Sequence, residues 1–292
     1  MYNEEDNGEE RKREMLYLVL AILSSAMVSI FMRLSSDRVS GNISMLAVNY
    51  LTCLAISLMY TGTNSVIPEH PDFLQTLGMG AVHGFLYLFG FVMLQMSVKQ
   101  NGVVLSSIFM KLGLLVPMLM SVLIFGERPA VTQIIGFVIA IAAIVLINVE
   151  GNSVSVKFRF GLLLLLLGGG CADAMSKVFE EVGHPEMESQ FLLYTFLAAW
   201  LLCVALMLQK KQRPGCPEFL FGCAVGIPNF FSAKFLLKAL ESVPAVIAYP
   251  TYSVATILVV SQVGVLAFRE RLEKRQWIAV GAILMALIML NM

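Results

Sequence analysis

The sequence predicts an all-α integral membrane protein whose ten transmembrane helices form a 5+5 inverted repeat. Three observations lead there. Of 292 residues, 58% are hydrophobic and only 14% are charged, whereas soluble domains are usually about 25% charged. Apolar runs of about 20 residues recur along the whole chain, each long enough to cross about 30 Å of hydrocarbon. A chain of this length could form one large soluble core, but such a core does not require runs of membrane length. The third observation is a duplication. Phe125-Gly126-Glu127-Arg128 is followed after four residues by Gln133 and an apolar run to Asn148. Phe268-Arg269-Glu270-Arg271 is followed in the same way by Gln276 and an apolar run to Asn291, at an offset of 143 residues.

The elements follow in chain order. Residues 1–14 read as a polar N-terminal tail, acidic and then basic at Arg11-Lys12-Arg13. The apolar run from Leu16 is closed by no small-residue cleavage signal, so it reads as a retained first span. The first repeat, 15–148, holds spans at 15–35, 42–60, 74–96, 102–125 and 130–148. A linker at 149–159 leads to the second repeat, 160–292, with spans at 160–179, 189–208, 218–239, 243–267 and 274–291. Helices are required because lipid offers backbone amides no external partner, and a closed barrel would need an alternating pattern that this chain lacks. Ser29–Leu34 aligns with Asp173–Val178 at an offset of 144, each segment placing a basic residue near the far end of the first helix of a repeat. An odd number of spans per repeat inverts the second relative to the first, a physical route to alternating access.

Net charge is zero, so there is no nucleic-acid footprint. Cys53, Cys171, Cys203, Cys216 and Cys223 form no C-x-x-C pair and mostly fall inside apolar runs, as small buried hydrophobes do. Cues to orientation oppose one another. Loop Lys and Arg are more numerous on the side away from the N-terminus, from Arg38 and Lys99 to Lys274 and Arg275, which favours an external N-terminus. The Arg11-Lys12-Arg13 cluster before the first span favours an internal one.

Polar side chains deep in spans are costly, so each calls for a reason. Lys111 lies nine residues after Gly102 and fifteen before Gly126, too deep to snorkel to an interface. It faces either a wet cavity or a structural partner. Asp173 stands four residues before Lys177 on one helix face. It is either neutralised by that lysine or is a proton-coupling carboxylate or amine contact. Lys234 falls on the position of Phe91 at the repeat offset, five residues after Asn229. Together with Lys111 it suggests an anionic substrate. His83 and Tyr87 share a face of the third span, where His83 serves as a ligand or proton contact, or as a packing residue among Gly78, Gly80, Gly84 and Gly90. No second histidine is near it in sequence, so no metal site is expected. Asn49, Tyr50, Tyr249 and Tyr252 could supply hydrogen bonds and aromatic walls to a small solute. Pro117, Pro244 and Pro250 would kink the fourth and ninth spans, either statically or as gates. Gly168-Gly169-Gly170 suits close helix packing. Glu127 and Glu270, at turns beside Arg128 and Arg271, read as caps or ion pairs rather than an acid–base dyad.

The doubled turn, with Gln133 and Gly136 in one copy and Gln276 and Gly281 in the other, resembles the drug/metabolite transporter superfamily, in its ten-helix EamA-like branch. Pro117, ten residues before Glu127, is similar to the proline that members often carry in the fourth helix. Arg269 stands where the first copy has Gly126, a departure from the pattern. The resemblance implies a secondary carrier in the cell membrane, an exporter or exchanger with a central cavity between its halves and both termini cytoplasmic. The expected cargo is a small polar metabolite such as an amino acid or organic anion. The partners are then that solute, membrane lipid and a coupled proton, with the monomer as functional unit. No phosphate-binding Gly-x-x-x-x-Gly-Lys loop occurs, so no nucleotide or other cofactor is expected. An intramembrane enzyme or a small-molecule receptor is the alternative. The enzyme would need a clustered catalytic constellation, which isolated polar residues in different spans do not supply.

Overall fold

The computed structural model describes residues 2–62, 66–113, 115–124, 130–132, 134–136, 138–139, 142, 159–240, 245–269 and 274–290. Among them every regular element is helical: α1 Tyr2–Ser35, α2 Asn42–Thr61, α3 Phe73–Asn101, α4 Val103–Leu112, α5 Leu115–Leu123, α6 Arg159–Val182, α7 Glu188–Gln209, α8 Cys216–Leu240, α9 Ala245–Leu266 and α10 Lys274–Leu290. A 3-10 turn at Pro185–Met187 leads into α7. Six helices are long and apolar enough to cross a membrane, and Val103–Pro117 and Thr251–Leu266 are shorter apolar stretches. Most of the expected fifth span and of the 149–159 linker lies outside the described residues, as do Glu127, Gln133, Pro244 and Glu270.

The polar tail is helical: α1 begins at Tyr2 and reaches the membrane-length segment Leu16–Ser35 without a break. Its Glu, Arg and Lys residues are strong helix formers, so nothing local stops the helix at the edge of the apolar run. In the fourth span the described helices are α4 and α5, with a turn at Gly113 between them. Pro117 has no N–H to offer the Gly113 carbonyl, and Val116 N–H donates to it instead at 2.8 Å.

Exposed apolar side chains form outward stripes, such as Leu16, Val19, Leu23 and Met27 on α1 and Leu163 and Leu167 on α6. Asn49, His83, Gln95 and Lys111 are buried. Polar groups are thus inside and apolar groups outside, as lipid requires of a multi-pass membrane protein.

Helix packing follows an exchange rule. α1 packs on α8 as α6 packs on α3, and α1 on α9 as α6 on α4. The α2–α8 contact likewise matches α7–α3. Small residues allow these approaches. A Cβ on Gly80 would lie 2.7 Å from the Tyr194 Cβ of α7, and one on Gly222 would lie 2.9 Å from the Met45 carbonyl of α2. Buried thiols add hydrogen bonds across two of the contacts, Cys53 to the Gly226 carbonyl at 3.2 Å and Cys203 to the Ile43 carbonyl at 3.3 Å.

The connections fall on two faces. On the face where α1 ends, the Glu218 carboxylate accepts backbone N–H groups of Ser40 and Gly41, each at 3.1 Å, and of Gly215 at 3.1 Å. On the face where α1 begins, Gln75 donates to the Val182 carbonyl at 3.2 Å and Tyr194 to the Val66 carbonyl at 2.6 Å. These bonds tie α3 to the end of α6 and the α2–α3 connection to α7.

Candidate functional site

A cavity of about 70 Å³ opens where α3, α4, α6, α8 and α9 converge. Its chemistry comes from α4 and α6, which belong to different repeats. Lys111 stands in the last turn of α4, just before the turn at Gly113. The carbonyls at a helix C-terminus favour a cation there. Its Nζ lies 3.7 Å from the centre of the Tyr252 ring, a close cation–π contact for a lysine only 7% exposed. Tyr252 is held in turn, its hydroxyl 2.9 Å from the Ser232 hydroxyl of α8.

Asp173 of α6 lines the same cavity as Lys111. Lys177, weighed as a partner for Asp173, makes ion pairs with glutamates of its own helix. Lys177 reaches Glu181 at 2.8 Å and Glu180 at 3.6 Å, both further along α6 toward the water-facing end. A lysine near a helix end does better to extend its ammonium toward water than to turn back into the membrane.

His83 forms the third polar point. Its Nδ1 is 3.2 Å from the Thr195 hydroxyl, which itself donates to the Phe191 carbonyl at 2.8 Å. Thr195 therefore accepts from His83 Nδ1–H, and Nε2, 3.4 Å from the Ser176 hydroxyl, is left to accept. One neutral tautomer satisfies both contacts. The ring stacks on Phe191 at 5.1 Å and meets Tyr87 edge-on at 5.1 Å. Tyr249 completes the wall, and its buried hydroxyl has no hydrogen-bond partner among the described residues. Such a group is satisfied by water or a solute.

The EamA-like transporter family matches residues 12–149 and again residues 159–292. The chain belongs to that family. An uncharacterised protein of Haemophilus influenzae is 26% identical over 272 residues, covering 90% of this chain and 93% of the relative. A solved crystal structure superposes with a TM-score of 0.63 at 17% identity, over 95% of this chain and 96% of the other, a likeness of fold.

Within this EamA-like chain the residues expected at the site divide into two groups. His83, Tyr87, Lys111, Asp173, Tyr249 and Tyr252 line the cavity. Asn49, Tyr50, Asn229 and Lys234 are not among its lining residues. Asn229 Nδ2 donates to Asn49 Oδ1 at 3.3 Å within the α2–α8 contact. Tyr50 packs edge-on against Phe91 at 6.0 Å. Lys234 sits over the Tyr60 ring at 4.8 Å. Position 250 lies within the unbroken α9, and Pro117 is buried in α5. Sequence reasoning passed over Ser176 and Ser232 of the lining, and read Gly168–Gly169 for packing alone; it also passed over Pro228, which lies inside α8 four residues before Ser232. Proline inside an apolar run was the available signal for the last of these.

Proposed function

We propose that this chain is a secondary transporter, an exporter or exchanger, that moves a small polar metabolite such as an amino acid or organic anion across the cell membrane. The observation that carries the reading is that Lys111 and Asp173, a basic and an acidic residue from different repeats, line one aromatic-walled cavity. A carboxylate on the solute would be met by Lys111, and an amine by Asp173. Ligand pockets usually run to roughly 300 Å³ or more, so a cavity of about 70 Å³ fits a closed conformer whose walls part to admit solute. Two five-helix repeats of opposite sense, ten spans in all, would supply that movement by rocking against each other. The exchanged helix contacts support this.

The test is counterflow in proteoliposomes with labelled amino acids, organic acids and amines, with and without a pH gradient. Saturable exchange of at least one solute is expected. Flux of none of them, from protein shown to be folded and inserted, would oppose the reading. Gradient dependence that survives in Asp173→Asn would remove that carboxylate from proton coupling.

Both termini lie on the cytoplasmic side in this reading, following the Arg11-Lys12-Arg13 cluster against the loop charge count. Cys216 is exposed at the start of α8, on the face where α1 ends. A membrane-impermeant maleimide applied to intact cells is therefore expected to label the chain, with loss of labelling in Cys216→Ser. Labelling only after the membrane is permeabilised would reverse the orientation.

A further inference from the structure

We propose that His70, His184 and Glu186 form a binding site for a divalent transition-metal ion of the zinc type, joining the α2–α3 connection of the first repeat to the α6–α7 connection of the second. One donor atom from each residue lies within 4.8 Å of the other two. The two imidazoles come from opposite halves of the sequence, yet their ring centres are 4.7 Å apart at an interplanar angle of 58°. The His184 Nδ1 is buried and has no hydrogen-bond partner among the described residues. An orphaned ring nitrogen facing a second imidazole and a carboxylate is a costly arrangement unless a proton or metal ion uses its lone pair.

The chemistry selects the class of ion. Two imidazoles and one carboxylate suit zinc, cobalt or nickel, while calcium and magnesium prefer sets made wholly of oxygen. Three protein ligands leave one tetrahedral position for water. Zinc holds such donors at about 2.0–2.2 Å, which sets tetrahedral ligand atoms roughly 3.4 Å apart. Small rotations of half-buried His70 and His184 and exposed Glu186 close the remaining gap. His70 is held in place by its own loop: its Nδ1 accepts the Asp72 backbone N–H at 3.2 Å, with the Asp72 carboxylate 3.6 Å from the same nitrogen.

Ordering the loops costs little here. The elements that carry them are already tied together, α3 to the end of α6 through Gln75–Val182 and α7 to the α2–α3 connection through Tyr194–Val66. None of the three ligands is among the cavity-lining residues. The site is therefore independent of the transport reading and stands or falls without it.

The test uses the full chain, freed of any affinity tag, purified in detergent and stripped with a chelator, then titrated with Co²⁺. Expected are one bound equivalent, visible d–d bands displaced by Zn²⁺, and a Zn²⁺-dependent rise in the thermal unfolding midpoint. His70→Ala and His184→Ala should each weaken binding by about tenfold or more. Glu186→Gln, exposed and harmless to folding, should weaken it too, while Cys216→Ser leaves it unchanged. Binding by the His70→Ala, His184→Ala double variant equal to wild type would overturn the proposal, as would absence of the bands in the folded wild-type protein.

Discussion

Lys111→Gln is expected to weaken solute binding by about ten- to a hundredfold and to cut transport at low solute concentration by a similar factor. A hydrogen bond to a charged group contributes roughly 1.5–3 kcal/mol, and each 1.4 kcal/mol is a factor of ten. The site geometry puts the effect toward the upper end. Lys111 is buried, its ammonium rests 3.7 Å from the Tyr252 ring centre, and Asp173 stands across the same cavity. Gln keeps most of the stem, so packing survives while the charge is lost and Asp173 is left without its counter-charge. Lys234→Gln is the matched control. Its ammonium lies over Tyr60 at 4.8 Å and the residue is absent from the lining, so a change within about threefold is expected. Counterflow by equal amounts of inserted protein checks both. Transport by Lys111→Gln at the wild-type level, or a larger loss in Lys234→Gln, would remove Lys111 from solute recognition.

The contrast between these two lysines marks where sequence reasoning stops. The cost of a polar group in lipid singles out Lys111, Lys234, Asn49, Asn229, His83 and Asp173 alike, because burial depth can be counted along a chain. What each group faces depends on how its helix is rotated about its axis, which tertiary packing decides. Asn49 and Asn229 offset part of the same cost by bonding to each other between α2 and α8, the Asn49 Nδ2 having no partner among the described residues. Lys177 shows the same limit within one helix. Asp173, Glu180 and Glu181 all stand at helical spacing from it, and only depth in the membrane selects the pair nearer water. Ser176 and Ser232 carry hydroxyls that a helix can satisfy internally, so they raise no signal in sequence although both line the cavity. The repeat was legible because apolar runs and the doubled Phe-x-Glu-Arg turn are local patterns. His70 and His184 meet only because two connections from different repeats share a face, which no local pattern records.

Gly170→Leu is expected to destabilise the protein by about 3 kcal/mol or more and to abolish transport, for a reason that joins the fold to the site. A Cβ at Gly170 would meet the Gly113 carbonyl oxygen and lie 2.8 Å from the Val116 Cβ. A Cβ at Gly113 would lie 2.6 Å from the Gly170 amide nitrogen and 2.8 Å from the Leu166 carbonyl. Backbone faces backbone here, so no flexible side chain can swing aside, and Val116 is stiff at χ1. Overpacking ordinarily costs about 1–3 kcal/mol, and obstruction by main-chain atoms belongs at or above the top of that range. The displaced element is the turn between α4 and α5, two residues from Lys111, while Gly170 is three residues from Asp173. Forcing α6 away from that turn therefore separates the two charges that define the cavity. Gly78→Ala tests the reasoning from the other side. No atom lies within 4 Å of a Cβ at that position, so the substitution should leave the thermal midpoint and transport unchanged, or raise the midpoint slightly through better helix propensity. Thermal unfolding in detergent and counterflow in proteoliposomes would read both variants. Wild-type stability in Gly170→Leu would mean that the two helices are not pressed together there, and the cavity would then need another cause for bringing Lys111 and Asp173 to the same space.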